Sequence, residues 1–395
     1  LAEGWPVTTR VYAFAFSAEP HRGSEPGVGY EFARALAQLS IDPEFDVRFY
    51  TRGHRLAMVR EALAEHVPGH RLHVVPIRLW APIARRLQGP WVRLSYLWWQ
   101  TKAVSAVVAD IAKAPAGDRI VAHHITFATV AVPTFEWRIA AESAREVRHV
   151  FGPAGSARME LPVRPTKRDR LAHAARAVVA RKNLTHVDLA VSQTTDLVPV
   201  LSQLGASEAV VAPNCVVDLP PEVAGIDRDP ELIVSVGFLI ARKRPWLALE
   251  TLARLPGREL QLVFVGDGPE LGRLRKLAAT LGVADRVEFV GQVSRAEALK
   301  HIAAASVLLH TSVNEGATWV VAEAQSLGTV PVAPPKTGAD STIGLAGIGV
   351  VAASDSPQDL ADAVAKALDM QHVSTSMWSR ERLPGLLREW YRIPS

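Results

Sequence analysis

The chain has 395 residues, of which 48% are hydrophobic and 21% charged, and its formal net charge is +4. This composition excludes a disordered or fibrous protein and predicts a soluble globular fold of roughly two to three domains. A single cysteine, Cys215, excludes an internal disulfide framework and indicates a reducing, cytoplasmic compartment. No apolar run reaches the about 18 residues of a transmembrane helix, and residues 1–9 lack a signal-peptide pattern.

Charge is distributed unevenly along the chain. Residues 1–200 contain 26 Lys or Arg and 18 Asp or Glu, whereas residues 201–395 contain 18 and 22. This asymmetry suggests two domains with different partners. The basic half could face an anionic acceptor or a membrane surface, or it could be an ordinary solvated Arg-rich surface.

Short apolar segments in the first half predict the buried strands of a parallel sheet. They are residues 11–16, 45–50, 72–77, 118–124, 147–151, 187–192 and 210–214. After the first of them, a Gly-rich loop with Gly27 and Gly29 precedes a helix predicted over 30–37. Strand, glycine loop and helix in this order form an anion cradle, although a tight βα turn would look the same.

The segment 78–100 interleaves Arg with Trp. This pattern is typical of an interfacial helix or of a stacking surface, although a helix that buries these residues in the core is the alternative. One hypothesis is a peripheral contact with the inner membrane face near residues 91–99, which binding to anionic vesicles at low salt would test.

Two histidines, His123 and His124, end the fourth predicted strand. Polar residues at the C-terminal end of a parallel strand lie at the ligand crevice. Adjacent residues of a strand point to opposite faces, so we expect only one of the two to face a ligand. A further strand is followed by a glycine loop at 152–155, and a basic helical region is predicted over 165–183.

The alternation of strands and helices restarts after a linker predicted between about residues 195 and 230. Strands are predicted at 232–236, 262–265, 287–290, 305–310 and 330–333, with a helix at 357–369. Ser294 and Glu297 form a predicted capping box, and the tail 375–395, with Trp378, Trp390 and Tyr391, is predicted to pack onto the first domain.

Three consecutive cations, Arg242, Lys243 and Arg244, stand before a predicted helix. Positive charge is unfavourable at a helix N-terminus unless an anion binds there, and a diphosphate is the natural partner. Glu315 follows the strand 305–310, and Glu323 lies eight residues later in the next helix. Their spacing favours contacts with two parts of one extended ligand over a shared acid–base role. A helix-capping Glu315 and a solvated Glu323 are the alternative.

Several short motifs resemble, in order and spacing, those of one enzyme family. They are Pro213-Asn214, Val236-Gly237 with Lys243, Gly266-Asp267-Gly268-Pro269-Glu270, Phe289-Val290-Gly291, Glu315-x7-Glu323, Gly328-Thr329-Val330-Pro331-Val332 and, more loosely, Gly23-Ser24-Glu25-Pro26-Gly27-Val28-Gly29, His123-His124 and Gly152-Pro153-Ala154-Gly155. The chain thus resembles the retaining glycosyltransferases of family 4 over nearly its whole length.

The resemblance implies roles for the matching positions. Lys243, with Arg242, would neutralise the diphosphate of a nucleotide-sugar donor beside Gly237, Glu323 would hold the ribose, and Glu315 would lie by the sugar. Phe238 stands where the family has Arg, so Arg242 or Arg244 would substitute. The remaining donor contacts implied are the amides of Gly316, Ala317 and Thr318 at the phosphates, Gly291, Gln292 and Val293 at the base, and Gly27, Gly29 and His124 or His123 near the reaction centre.

The resemblance also implies a GT-B architecture, in which two Rossmann-like α/β domains face each other across a cleft and the C-terminal helix returns to the first. We predict an acceptor-side domain of residues 1–205 plus 373–395 and a donor domain of residues 206–372. The implied reaction is retaining transfer of a hexosyl group from a nucleotide sugar, a UDP or GDP sugar in the first instance, to a hydroxyl of a lipid-linked sugar, a polysaccharide or a secondary metabolite. No metal site, no further cofactor and no nucleic-acid partner is expected.

Three other functions remain open at this point. A nucleotide-sugar epimerase could use the same architecture. A glycogen-phosphorylase-like enzyme would need a pyridoxal-phosphate lysine, for which Lys336 is a poor candidate. A non-catalytic periplasmic sugar-binding protein is disfavoured by the clustered cations and by the missing signal-peptide pattern.

Overall fold

The fold is taken from a computed structural model, which describes residues 7–20, 24–53, 55–79, 92–130, 132–155, 166–255, 259–313 and 315–392. The chain divides into two compact units. Unit 1 comprises Leu1–Asn214 and Glu381–Ser395, and unit 2 comprises Cys215–Arg380.

Unit 1 is built on a parallel sheet of seven strands within the described ranges. The strands are β1 (Thr9–Ala15), β2 (Phe45–Arg52), β3 (His73–Ile77), β4 (Arg119–His124), β5 (Arg148–Ala154), β6 (Leu189–Ser192) and β7 (Glu208–Val211). Their order in the sheet is β3-β2-β1-β4-β5-β6-β7. The helices between them are α1 (Ser24–Leu39), α2 (Leu56–His66), α3 (Val92–Ile111), α4 (Trp137–Glu142), α5 (Lys167–Leu184) and α6 (Leu197–Gln203).

Unit 2 repeats this plan with a six-stranded sheet in its described part, ordered β10-β9-β8-β11-β12-β13. The strands are β8 (Asp229–Val236), β9 (Gln261–Val265), β10 (Val287–Gly291), β11 (Ala305–Leu309), β12 (Val330–Ala333) and β13 (Val350–Val351). The helices are α7 (Pro245–Leu252), α8 (Leu271–Thr280), α9 (Arg295–Ala304), α10 (Trp319–Leu327), α11 (Ala339–Ala346) and α12 (Pro357–Leu368).

The local sequence explains these boundaries. All five residues of β11 are buried, as expected for a central parallel strand covered on both faces. The Ser294 hydroxyl accepts a hydrogen bond from the Glu297 amide at 3.2 Å and caps α9 as predicted. Ser356 caps α12 in the same way, with Pro357 at the first helical position.

Two predicted boundaries were wrong, and both involve glycine. Helix α1 begins at Ser24 rather than near residue 30, so Gly27 and Gly29 lie inside the helix and not in a loop. Glu25 and Pro26 favour this early start, since an acidic residue and a proline suit a first helical turn. Strand β5 likewise runs on through Gly152 to Ala154, where a loop was predicted.

The C-terminal helix returns to unit 1, which confirms that part of the predicted architecture. This helix, α13 (Arg382–Trp390), packs against α1, where the rings of Trp390 and Phe32 stack with centroids 6.4 Å apart. Tyr391 fixes its end through a hydrogen bond of 2.7 Å between its hydroxyl and His123 Nδ1. Trp378 instead belongs to unit 2, where it packs with the buried Cys215.

The basic, Trp-rich segment is described only in part, because residues 80–91 lie outside the described ranges. In α3, Trp99 and Tyr96 are buried in the core of unit 1, as the core alternative predicted for them. Among the described helices, none is both long and apolar enough to cross a bilayer.

Candidate functional site: an ion cluster at the switch point of unit 2

Each sheet has a point where the strand order reverses, between β1 and β4 in unit 1 and between β8 and β11 in unit 2. In open α/β sheets, ligands bind in the crevice outside the carboxyl ends of the strands at such a switch point. His123 and His124 end β4, the cations of 242–244 follow β8, and Glu315 follows β11. Topology therefore places most of the predicted site residues at the two switch points.

In unit 2, the loops that follow β8 and β11 are tied together by hydrogen bonds. The Thr311 hydroxyl donates to the Lys243 carbonyl at 2.8 Å, and the Val313 amide donates to the Arg242 carbonyl at 3.2 Å. Arg244 returns a bond from Nε to the Thr311 carbonyl at 3.0 Å. These bonds fix the backbone of the cationic segment against the end of the neighbouring strand.

The side chains of Arg242, Lys243, Ser312 and Glu315 form what we call the ion cluster. Glu315 Oε1 lies 2.6 Å from Arg242 Nη1 and 2.7 Å from Lys243 Nζ, and it also accepts a hydrogen bond from the Ser312 hydroxyl. Lys243 and Glu315 are far apart in the sequence, and the switch point brings them into direct contact. One carboxylate oxygen thus satisfies two cations that stand where an anionic ligand would be bound.

Electrostatics keeps Glu315 ionised. Burial opposes its ionisation, but the positive charge of Lys243 and the hydrogen bonds from Lys243 and Ser312 outweigh this and lower its pKa to about 2. The adjacent His310 is 4% exposed. Burial, reinforced by the charge of Lys243, lowers the pKa of His310 to about 3, so its ring is neutral at physiological pH.

Arg244 is committed to a different partner from its two neighbours. Its Nη1 donates to Asp355 Oδ2 at 2.8 Å, and its backbone adopts the left-handed conformation with φ of 46° just before α7. Of the two arginines predicted to replace the one missing at Phe238, Arg242 therefore lies beside Lys243 in the ion cluster, whereas Arg244 holds the loop.

A pocket of about 200 Å³ adjoins the loop that follows β8. Its lining consists of Val236, Gly237, Phe238, Val265, Gly266, Asp267, Gln292, Val293 and Ala298. The structure thus brings together Gly237 with Gln292 and Val293, residues predicted to contact the donor and its base. Phe238 is 66% exposed.

Glycine is required beneath this loop for steric reasons. A Cβ on Gly266 would lie 2.1 Å from the Gly237 carbonyl oxygen, and one on Gly268 would lie 2.4 Å from the Leu239 carbonyl oxygen. The Gly266-Asp267-Gly268 motif therefore allows the β8 and β9 loops to pack backbone against backbone, and Gly291 extends this contact by accepting the Gly266 amide at 2.8 Å.

Glu323 lies in α10 and is paired outside the ion cluster. Its Oε1 accepts from Arg295 Nη2 at 2.8 Å and from Arg295 Nε at 3.1 Å. Burial raises the pKa of Glu323, and the positive charge of Arg295 partly offsets the effect. The two glutamates of the predicted pair thus stand in separate ion pairs on one loop–helix segment.

The predicted phosphate-binding amides lie between these two glutamates. Gly316 and Ala317 form a bend, and Thr318 is the residue before the first turn of α10. The Thr318 amide points to the Thr342 hydroxyl at 3.5 Å. Gly338 supports the bend from below, since a Cβ there would lie 2.6 Å from the Gly316 carbonyl oxygen.

At the switch point of unit 1, the loop after β1 carries an ion pair between Glu19 and Arg55, but the histidines that end β4 are buried. His124 is fully buried and forms a network with Tyr96, Thr126 and Glu136, which we call the His124 network. Its Nε2 lies 2.9 Å from the Tyr96 hydroxyl, and its Nδ1 is hydrogen-bonded to Glu136. His123 points to the opposite face, toward Tyr391, so neither ring presents an unoccupied nitrogen to a ligand in this arrangement.

Gly29 of the predicted anion cradle has a packing role in unit 1. A Cβ on Gly29 would lie 1.9 Å from the Ser17 carbonyl oxygen, so glycine allows α1 to pass directly over the β1 loop. Gly27 lies two residues earlier in the same helix. Glu25 accepts the Phe127 amide at 3.1 Å and ties the helix to the loop after β4. Burial raises the pKa of Glu25.

Sequence reasoning missed three residues of the unit 2 site. Ser312 and His310 closely follow β11, so the rule applied to His123 and His124 could have found them. Arg295 gave no such signal, because its contact with Glu323 depends on how α9 packs against α10. In the described ranges, no group of three or more His, Cys, Asp or Glu side chains is arranged to hold a metal ion.

The sequence of unit 2 resembles a known protein family. Residues 219–382 match the family described as Glycosyl transferases group 1. A D-inositol 3-phosphate glycosyltransferase from Mycolicibacterium smegmatis is 29% identical over 167 residues, which are 42% of this chain and 38% of that protein. The chain thus spans less than two fifths of that relative's length.

Two solved structures share the fold of the whole chain. The lipopolysaccharide outer core galactosyltransferase WaaB in its apo form has a TM-score of 0.62 at 14% identity, over 98% of this chain and 96% of that one. Anabaena Alr3699/HepE in complex with UDP has a TM-score of 0.60 at 16% identity, over 97% and 99%. Residues 219–382, which include most of unit 2, thus match the Glycosyl transferases group 1 family, and the whole chain shares the GT-B fold of the two solved structures.

Proposed function

We propose that the chain transfers a hexosyl group, with retention and without a metal ion, from a nucleotide-diphosphate sugar to an acceptor hydroxyl. The observation that carries the proposal is the ion cluster, in which two cations converge on one carboxylate oxygen at the switch point of unit 2. A pocket of about 200 Å³ adjoins the same loop. Cations beside a mostly apolar pocket suit a nucleoside diphosphate, whose phosphates are anionic and whose base is largely apolar.

Lys243 and Arg242 supply the electrostatic part of catalysis. Breaking the sugar–phosphate bond leaves negative charge on the departing diphosphate and positive charge on the sugar ring. Cations already fixed beside the diphosphate stabilise this separation without a protein nucleophile, and one such group contributes about 3 kcal/mol to transition-state stabilisation. Their backbone is held by the bonds from Thr311 and Val313, so little reorganisation is needed at the moment of reaction.

Glu315 acts as the counter-ion of these cations before the donor binds. When a diphosphate takes over Lys243 and Arg242, the carboxylate becomes available to a hydroxyl of the sugar. The hydrogen bond from the Ser312 hydroxyl remains and favours the ionised form of Glu315 in this role. Glu323, from its place in α10, would hold the ribose, and the 316–318 bend would contribute amides to the phosphates.

Similar proteins support the donor class. HepE forms a complex with UDP, and the Mycolicibacterium relative is named as a D-inositol 3-phosphate glycosyltransferase. We propose UDP or GDP as the nucleotide, and a lipid-linked sugar, a polysaccharide or a secondary metabolite as the acceptor.

A calorimetric panel of UDP, GDP, dTDP and ADP tests the donor site directly. We expect one of these nucleotides to bind more tightly than the others, and its sugar donors to release nucleotide only when transfer occurs. Turnover of the sugar with no nucleotide release would instead identify an epimerase. Absence of nucleotide binding together with binding of a free sugar would identify a sugar-binding protein and contradict the proposal.

Retention and metal independence have separate tests. NMR of the first-formed product should show the anomeric configuration of the donor, and inversion would contradict the proposed chemistry. Activity should persist in excess EDTA, whereas its abolition and restoration by a divalent cation would refute metal independence. The membrane contact predicted for residues 78–100 stays a prediction, since residues 80–91 lie outside the described ranges.

A further inference from the structure

Helix α5 of unit 1 has an apolar stripe on its solvent side. Leu171 is 73% exposed and Val178 is 68% exposed, the highest values for large hydrophobic side chains in the described part of the chain. The two are seven residues apart, so they lie on nearly the same line of the helix. Ala174 and Ala175 are exposed between them and complete an i, i+3, i+4, i+7 stripe. We call these four residues the α5 outer face.

The orientation of α5 is fixed by its inner side. Ala180 and Leu184 are fully buried in the hydrophobic cluster that also contains Phe151. Asn183 clamps the loop before α4, donating from Nδ2 to the Val132 carbonyl at 2.8 Å and accepting the Thr134 amide at 2.9 Å. Rotating the helix to hide Leu171 would break these contacts, so the exposure of its outer face is built into the fold.

Positive charge surrounds the stripe. Over its 18 residues the helix carries six Lys or Arg and one Asp. Lys167 and Arg168 precede Leu171, and Arg181 and Lys182 follow Val178, all with exposed side chains. Lys182 also lies over the Trp137 ring, with Nζ 4.0 Å from the ring centroid, which holds that cation at the edge of the face.

We propose that the α5 outer face docks on an anionic membrane surface. Leu171 and Val178 would enter the boundary between headgroups and acyl chains, while the flanking cations contact the anionic headgroups. A second copy of the chain is disfavoured, since pairing two such faces would bring two sets of six cations together. A nucleic acid is disfavoured, since the face offers aliphatic side chains rather than aromatic rings for stacking.

This surface is distinct from the donor site and independent of the proposed transfer reaction. Sedimentation with vesicles of phosphatidylglycerol and phosphatidylcholine, compared with pure phosphatidylcholine, measures the binding. We expect binding to the anionic vesicles that weakens with added salt. The double variant Leu171→Gln/Val178→Gln should bind on the order of ten-fold more weakly, and Lys167→Gln/Arg168→Gln should lose part of the salt dependence.

Matched controls come from other exposed apolar residues. Val373→Gln, at a position 51% exposed in unit 2, should bind vesicles like the parent protein. Leu94→Gln, at a position 54% exposed in α3, should do the same, and weakened binding in this variant alone would move the contact to the 78–100 region and overturn the proposal. Nucleotide affinity, measured in the same samples, should be unchanged in all variants, which separates this test from that of the donor site.

Three further results would overturn the proposal. The parent protein could fail to bind phosphatidylglycerol vesicles at low salt. The Leu171→Gln/Val178→Gln variant, shown by circular dichroism to be folded, could bind them as tightly as the parent. A concentration-dependent increase in molar mass that this variant abolishes would assign the face to a second copy of the chain.

Discussion

The two units share a switch-point topology, but the residues that follow the central strand β4 in unit 1 and β11 in unit 2 differ in their chemistry. In unit 1, the histidines that end β4 are buried and bonded within the protein, to Glu136, Tyr96 and Tyr391. In unit 2, the residues after β8 and β11 are charged, and Arg242 is 45% exposed at its side chain. The same topology thus supports a packed hydrogen-bond network in one unit and an accessible ion cluster in the other.

This difference shows that the topology fixes where a ligand site can form, whereas the side chains at that place determine what the site can bind. In the proposed mechanism, Lys243 exchanges the Glu315 carboxylate for a phosphate of the donor, and the partial exposure of the ion cluster makes this exchange possible. The His124 network could accept a ligand only by giving up bonds in a site that excludes water. We therefore expect substitutions in unit 1 to act on stability first and those in unit 2 to act on turnover first.

The largest effect expected is on the stability of unit 1, from Glu136→Ala. Glu136 is 1% exposed and bonded to His124, so its removal leaves a buried imidazole without its partner. Leaving a buried hydrogen-bonding group without its partner typically costs about 1–3 kcal/mol, and the cavity left by the deleted side chain adds to this loss. Urea unfolding followed by hydrogen exchange of β4 measures the loss. Glu136→Gln should lose less, the exposed Glu146→Ala should lose nothing measurable, and an unchanged midpoint for Glu136→Ala would show that the network is not stabilising.

Lys243→Ala should have the largest effect on turnover. Removing one cation from the diphosphate costs about 3 kcal/mol of transition-state stabilisation, which lowers the rate on the order of 10²-fold. The fold should persist, because Arg242 and Ser312 still satisfy Glu315. Steady-state kinetics with the donor found in the nucleotide panel measures the change, with Lys366→Ala on the outer surface of α12 as the control. Near-normal rates for Lys243→Ala would contradict the proposed role of the ion cluster in binding the diphosphate.

These two sites also show how far sequence reasoning reaches. The strands follow from apolar segments, and their parallel arrangement follows from the alternation of strands and helices, whereas the order of the strands within each sheet was not predicted. The proximity of Lys243 and Glu315 could be predicted from the sequence, because both residues follow central strands and both belong to motifs that resemble a known family. The hydrogen bond between His124 and Glu136 could not be predicted, because Glu136 lies in a loop with no periodic pattern. Only the packing of α4 brings the Glu136 carboxylate to the His124 ring.

Helix α1 illustrates a different limit. Gly27 and Gly29 suggested a loop, yet the close approach of Gly29 to the Ser17 carbonyl requires glycine within a helix. A glycine needed for tertiary packing and one needed for loop geometry look identical in a single sequence. The ion pair of Arg295 with Glu323 was hidden for a similar reason, since it spans two helices.

Acidification below pH 6.5 should destabilise both units, because His149 in unit 1 and His310 in unit 2 are buried histidines with lowered pKa values. Burial, with the neighbouring His186, lowers the pKa of His149 in unit 1 from 6.5 to about 4. The unfolded chain therefore binds a proton that the folded chain does not, and the free energy of unfolding falls as pH drops from 6.5 toward 4. For Glu315 the pKa is lowered from 4.5 to about 2, so its stabilising contribution is lost only between those values.

The variant His149→Phe isolates the unit 1 part of this dependence. The ring nitrogens of His149 are buried without hydrogen-bond partners, so phenylalanine leaves no group unsatisfied. The slope of unfolding free energy against pH should become shallower by up to about 1.4 kcal/mol per pH unit above pH 4. Unfolding curves of unit 1 at several pH values measure it, and the exposed His73→Phe should leave the slope unchanged. An identical slope for His149→Phe would mean that this imidazole binds its proton over the same pH range in the folded and unfolded chain.

The smallest effect expected comes from Phe238→Arg, which adds a cation to the rim of the unit 2 pocket. Phe238 is 66% exposed, so solvent screens the new charge and we expect nucleoside diphosphate affinity to rise only a few-fold, in line with about 0–1 kcal/mol for an exposed ion pair. The gain should vanish in high salt and should be absent for the nucleoside without phosphates. Phe238→Gln is the control, since it removes the ring without adding charge. If Phe238→Gln and Phe238→Arg weaken nucleotide binding equally, the Phe238 ring itself contacts the base, and the site differs from the family that it resembles by more than one missing positive charge.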